Sequence, residues 1–280
     1  MTPGDIQDIE IKLVLEALRL RYGYDFRHYD QSSVRRRVLH CLESCKLTGI
    51  SDIIPKLLYE GMFLERLIGV LTISVTTMFR DPLVFRALRE YTVPALKTHP
   101  FVNIWSAGCA TGEEVYSLAI LLREEGLYEQ ARIYATDLNA DSLATAREGI
   151  YALNRLEEFE ANYRDAGGVG TFRDYCEIDG NVVRMNGDLK KNIVYSSHNL
   201  ATDSVFAVMN LVMCRNVIIY FDASLQKRVI GLFHESLARG GDLCLGGAES
   251  LDISKSGAGF SVLSHKNRIF RKGFERTAGH

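Results

Sequence analysis

Apolar residues in the first 71 positions recur at helical intervals. Ile6, Ile9, Leu13, Ala17 and Leu20 follow one another every three or four residues, which predicts a helix with that face turned inward. Tyr22-Gly23-Tyr24-Asp25 interrupts it. A second helix is predicted from Ser32 to Lys46, capped by Ser32 or Ser33 and stopped at Thr48-Gly49. A third is expected over Asp52–Leu58 and a fourth over Met62–Leu71. No run alternates cleanly, so residues 1–71 read as a small all-helical domain. Residues 72–100 read as a linking segment.

From Phe101 the pattern changes. Val102–Ala107 reads as a buried strand carrying Trp105, the only tryptophan, as core packing. A helix over Glu113–Arg123, a strand over Arg132–Asp137 and a helix over Ser142–Glu148 follow. Strand, helix, strand, helix at this spacing predicts an α/β domain over 101–280 with a parallel sheet and crossover helices. Further strands are expected at Val208–Cys214 and Gly241–Leu245, with helix Ser224–Ala238 between them and a hairpin at Phe260–Leu263 and Arg268–Arg271. One stretch departs from the alternation. Asp179-Gly180 and Asn186-Gly187-Asp188 are turn signals between short β-rich runs. They predict a small antiparallel β-subdomain inserted at about 168–197.

Composition narrows the class. Thirty-three basic against 35 acidic residues leave a net charge of −2, without the basic excess of a dedicated nucleic-acid binder. The six cysteines are scattered with no Cys-x-x-Cys pair, which fits a reduced cytoplasmic protein and gives no metal site. The N-terminus carries acids where a signal peptide carries bases. No apolar run approaches the roughly 18–20 residues of a membrane helix. The expectation is a cytoplasmic protein, taken as a monomer.

The candidate chemistry sits at the first strand-helix turn. Gly108-Cys109-Ala110-Thr111-Gly112-Glu113-Glu114 leaves the predicted strand and opens the predicted helix. Glycines there let the chain turn sharply and approach a ligand. Asp137 ends the next strand, 25 residues beyond Gly112, where a carboxylate can accept both hydroxyls of a ribose. Glu113 and Glu114 at the helix start would repel a pyrophosphate. A cationic nucleoside such as S-adenosylmethionine is the better electrostatic match.

Four stretches together resemble the chemotaxis receptor methyltransferase (CheR) family. They are Ser74–Asp81 (SVTTMFRD), Trp105–Ser117 (WSAGCATGEEVYS), Ala135–Leu138 (ATDL) and Cys214–Phe221 (CRNVIIYF). The resemblance covers nearly the whole chain. It implies a Rossmann-like methyltransferase domain that uses S-adenosylmethionine, releases S-adenosylhomocysteine and esterifies glutamates on the cytoplasmic helical bundle of chemoreceptors. It also implies cofactor contacts from Ser74, Thr76, Arg80, Gly108, Glu114, Asp137, Asn199, Leu200, Asn216 and Val217, with Arg80 and Tyr220 facing the reaction centre. The basic run Arg35-Arg36-Arg37 reads first as a solvated helix face, since three consecutive helical residues fan over about 200° of arc; the resemblance raises the alternative that it docks on the receptor bundle.

Plainer roles stand beside these. Arg80 could pair with Asp81, Asp137 could cap the next helix, Asn216 could cap a turn, and Tyr220 could cover the sheet end. Two other functions stay open. One is a methyltransferase of the same fold acting on another substrate. The other is a cofactor-binding signalling module with little or no activity, suggested by Ser74, Val115 and Asn210 where the family commonly has asparagine, proline and aspartate. Methyl transfer to a glutamate needs no general base, since a carboxylate of pKa about 4.3 is already ionised at neutral pH.

Overall fold

The computed structural model describes residues 3–72, 74–249, 251 and 259–273. Four helices come first: α1 (Pro3–Tyr22), α2 (Gln31–Ser44), α3 (Ile53–Tyr59) and α4 (Gly61–Leu71). The buried face of α1 is not the expected one. Ile6, Ile9, Leu13 and Leu20 are 50, 42, 52 and 70% exposed, while Ile11, Val14, Leu15 and Leu18 fill the interior. Both sets have helical spacing, so periodicity alone could not choose. The second set follows i, i+3, i+4, i+7, the continuous stripe that a bundle covers. The second helix also starts earlier than expected. Asp30 is its N-cap, and its carboxylate accepts the Ser33 amide at 2.8 Å.

The expected linker is part of the second body. α5 (Pro82–Ala87) passes through a π-turn at Leu88–Thr92 into α6 (Val93–Leu96). Met78, Phe79, Phe85, Leu88 and Val93 pack into the core beneath the sheet.

The predicted alternation follows as β1 (Val102–Ala107), α7 (Glu113–Glu124), β2 (Ala131–Asp137) and α8 (Ala140–Glu148). The chain then makes β3 (Ile150–Ala152), α9 (Leu156–Asp165), β4 (Cys176–Asp179) and β5 (Val182–Met185). It returns as β6 (Ile193–Ser197), β7 (Met209–Cys214), α10 (Ala223–Ser236), β8 (Leu237–Leu245), β9 (Phe260–Ser264) and β10 (Ile269–Lys272). The main sheet has the order β6-β2-β1-β7-β8-β10-β9. Within it β10 runs antiparallel to both its neighbours, and the other pairings are parallel. β1 divides its side chains between the two faces. Ile104 joins the core beside α7, and Trp105 joins the core beside α10.

The inserted sheet, β3-β5-β4, is antiparallel as predicted, but its limits move. It begins at Ile150, and Ile193–Ser197 lies outside it, paired in parallel with β2 at the edge of the main sheet. A short β-rich run reads the same whichever sheet it joins, because its partner is distant in sequence.

The helical domain is tied to the sheet domain next to Tyr220. The Asp30 amide donates to the Tyr220 carbonyl and the Asp222 amide to the His28 carbonyl, both at 2.7 Å. Between them Tyr29 pairs with Phe221, their rings edge to face at 4.8 Å.

Candidate active site

Strand order reverses between β1 and β7, where parallel α/β sheets open a crevice at their carboxyl ends. Gly108 follows β1 there with φ +73°, and a Cβ on it would lie 2.5 Å from Val217 Cγ2. Only glycine lets these two turns meet. At the helix start, a Cβ on Gly112 would lie 2.7 Å from Ala146 Cβ, so this glycine lets α7 and α8 close together.

Asp137, at the end of β2, is held by backbone. One oxygen accepts the Ala110 amide at 2.8 Å and the other the Asn139 amide at 2.9 Å. Burial raises its carboxyl pKa, and these amides partly offset the rise. It does not cap α8; Asn139 does, accepting from Asp141 and Ser142.

A cleft of about 730 Å³, counted with its open side, runs across the strand ends. It brings together seven of the expected residues: Gly108, Asp137, Asn199, Leu200, Asn216, Val217 and Tyr220. The helical domain closes one wall with Tyr29, Ser33 and Arg37. The Arg37 guanidinium lies over the Tyr220 ring, 5.2 Å from its centroid, and donates to the Leu71 carbonyl at 2.6 Å.

Ser74, Thr76 and Arg80 are not in that cleft. They line a neighbouring surface depression with Arg155 and Glu158. Ser74 shares a 2.7 Å hydrogen bond with Ser142, and Arg80 donates to its own loop at the Val75 carbonyl. The three arginines of α2 also separate. Arg35 is tied to Asp8 and Gln7, Arg36 is exposed, and Arg37 faces the cleft. They do not form one docking surface.

The two acids at the start of α7 diverge. Glu113 is 1% exposed and turns away, accepting from Arg155 and Thr111 at 2.6 Å. Burial raises its pKa. Glu114 accepts from Ser106 at 3.1 Å and Arg215 at 3.2 Å, behind the cleft wall. Arg215, whose side chain is 1% exposed, links the two halves of the site. It donates to the Arg80 carbonyl at 3.0 Å and to Asp81 at 2.6 Å as well as to Glu114. Asp81 therefore pairs with Arg215, among the described residues, rather than with Arg80.

The family model described as "CheR methyltransferase, SAM binding domain" matches residues 74–268, and "CheR methyltransferase, all-alpha domain" matches 9–72. The chain belongs to the CheR methyltransferase family. A Pseudomonas putida relative that carries the methyltransferase name Cher3 is 49% identical over 97% of this chain and all of its own. A "Chemotaxis protein methyltransferase" of Listeria monocytogenes is 29% identical over 87% of this chain and 90% of its own. Among solved structures, the N-methyltransferase NodS of Bradyrhizobium japonicum with S-adenosylhomocysteine is 14% identical over 70% of this chain and 88% of that one, at a TM-score of 0.40. As a CheR-family enzyme the chain is an S-adenosylmethionine-dependent methyltransferase.

The cleft of this CheR domain fits that cofactor. The Asp137 carboxylate lines it, and one buried polar atom among the lining residues, Asn216 Oδ1, has no partner among the described residues. Buried polar atoms left so are uncommon and suit a ligand's donors.

Sequence reasoning missed the residues that brace the site from a distance. Glu249 accepts the Val217 and Ile218 amides with one oxygen and the Gly246 amide with the other. This cradles the turn in which Asn216 holds φ +60°. Glu249→Gln turns a donor toward one of those amides. It is expected to cost about 1–3 kcal/mol of stability, read as a lower urea midpoint with an unchanged slope.

Proposed function

We propose that this chain forms methyl esters on glutamate side chains of a chemoreceptor's cytoplasmic helical domain. The observation that carries the reading is the titratable content of the cleft. Among the described lining residues it consists of Tyr29, Arg37, Asp137, His198 and Tyr220. None is set up to take a proton from an acceptor. Both Asp137 oxygens are held by amides. Burial and the Asp137 charge push the Tyr29 phenol far above its usual range. His198 donates from Nε2 to the Ser204 carbonyl, and its Nδ1 is buried out of reach of an acceptor. The acceptor must arrive as a nucleophile, and a glutamate carboxylate does.

S-adenosylmethionine supplies a methyl group on a sulfonium when bound. The protein's part is to position the acceptor and exclude water. Charge cancels along this path, so a site that gripped the carboxylate hard would favour the ground state. We assign orientation to Tyr220 in the cleft and to Arg80, whose guanidinium lies in the neighbouring depression and would join it on leaving the Val75 carbonyl. Arg37 over the Tyr220 ring and exposed Arg36 on the same helix suit an acidic helical bundle arriving at the cleft mouth.

Purified protein should transfer label from methyl-labelled S-adenosylmethionine to receptor-containing membranes. The label should leave as volatile methanol on mild alkali. Alkali-stable label would reject ester formation.

A further inference from the structure

The apolar stripe that α1 turns outward has no counterpart on the other helices. Ile6, Ile9, Leu13 and Leu20 project to solvent, with half-buried Ala17 between the last two. The remaining exposed large apolar side chains among the described residues fall at most one to a helix. A contiguous apolar patch with a charged rim marks an interaction surface. Beside the stripe runs a groove that Ile9 and Leu13 line together with Ile219 and Phe221.

Two patterns say what covers it. The steps along the stripe are three, four, four and three residues, the same read in either direction. At about 100° per residue, Asp5, Lys12, Glu16 and Arg19 lie along one side of it. They read acid, base, acid, base; reversed, they read base, acid, base, acid. In an antiparallel pair of identical helices related by a two-fold axis, each flank meets its own reverse. An axis through Leu13 sets Ile6 against Leu20 of the second copy, Ile9 against Ala17 and Leu13 against Leu13. The same axis brings Asp5 within one turn of Arg19 and Lys12 within one turn of Glu16. Glu16 keeps its ion pair with Arg19 of its own helix, so the opposite charges run on as a chain across the pair.

We propose that α1 is the interface of a homodimer, two copies packing their Leu13 stripes antiparallel about a two-fold axis. One helix pair is a small contact, at the low end of specific interfaces, so the dimer dissociates on dilution.

Sedimentation velocity tests this. Wild type should pass from monomer to dimer between about 1 and 500 μM. Leu13→Glu keeps a good helix former but sets two like charges on the axis. It should stay monomeric throughout, with its urea midpoint little changed. Lys12→Glu and Glu16→Lys should each weaken the dimer by about tenfold or more, since like charges then face each other. Mixed in equal amounts, these two variants regain opposite charges at both contacts, and their heterodimer should be tighter than either homodimer. A wild type that stays monomeric over the whole range would overturn the proposal and leave the stripe to a different partner or to none. A dimer that survives Leu13→Glu would overturn it too, because its interface lies elsewhere. A mixture that associates no better than its components would overturn the antiparallel pairing.

Discussion

Replacing Arg80 with alanine is expected to lower kcat/KM by about 100- to 1000-fold, the scale of losing one positioned donor at a reaction centre. The fold should not notice. Arg80 is half-buried, and its guanidinium reaches only the Val75 carbonyl among the described residues. The loop is held by other means. Phe79 and Asp81 on either side have φ of +50° and +54°, a conformation that costs a non-glycine residue roughly 1–2 kcal/mol. Four contacts from elsewhere hold it there. Ser117 accepts the Phe79 amide, Asn162 donates to the Met78 carbonyl, Arg155 to the Thr76 carbonyl and Arg215 to the Arg80 carbonyl. None involves the Arg80 side chain. Turnover close to wild type, with an unchanged unfolding curve, would remove Arg80 from the chemistry.

Arg215→Ala should do the opposite and strike stability first, by about 3–5 kcal/mol. It removes the cation from a buried cluster and leaves Glu114, whose side chain is 13% exposed, without its charged partner. The same change frees the Arg80 carbonyl and Asp81, so the Arg80 loop should loosen as well. Arg215→Lys keeps the charge but cannot fork between acceptors, and should fall in between. Combining Arg215→Ala with Glu114→Gln should recover part of the loss by removing the stranded carboxylate. Urea unfolding of the four proteins separates these outcomes, and a cost below about 1 kcal/mol for Arg215→Ala would deny the cluster its structural role.

Legibility followed sequence distance. The β1 turn, Asp137 at the next strand end and the Cys214–Phe221 motif could be placed because each signal is local. The face of α1 could not, since two apolar sets share one period and only the partner helices distinguish them. β6 reads as part of the inserted sheet because its partner, β2, lies more than 50 residues away. The same limit hid Glu249, Arg155 and the reach of Arg215, whose partners come from other elements. Glu113 stands at the helix end next to the ligand turn, but helix position fixes only where a side chain starts. Its direction was decided by Arg155, contributed by the inserted subdomain.

Trp105 gives the cleft an optical consequence. It is the only tryptophan among 13 tyrosines, fully buried on β1, with its indole N–H donating to Thr136 at 2.8 Å. One of its ring neighbours is His198. Light that excites tryptophan selectively therefore reports on a single dry position one side chain away from the cleft. Emission should follow events at the β6 end of the cleft with no label attached, and stay silent to motions confined to the outer helices.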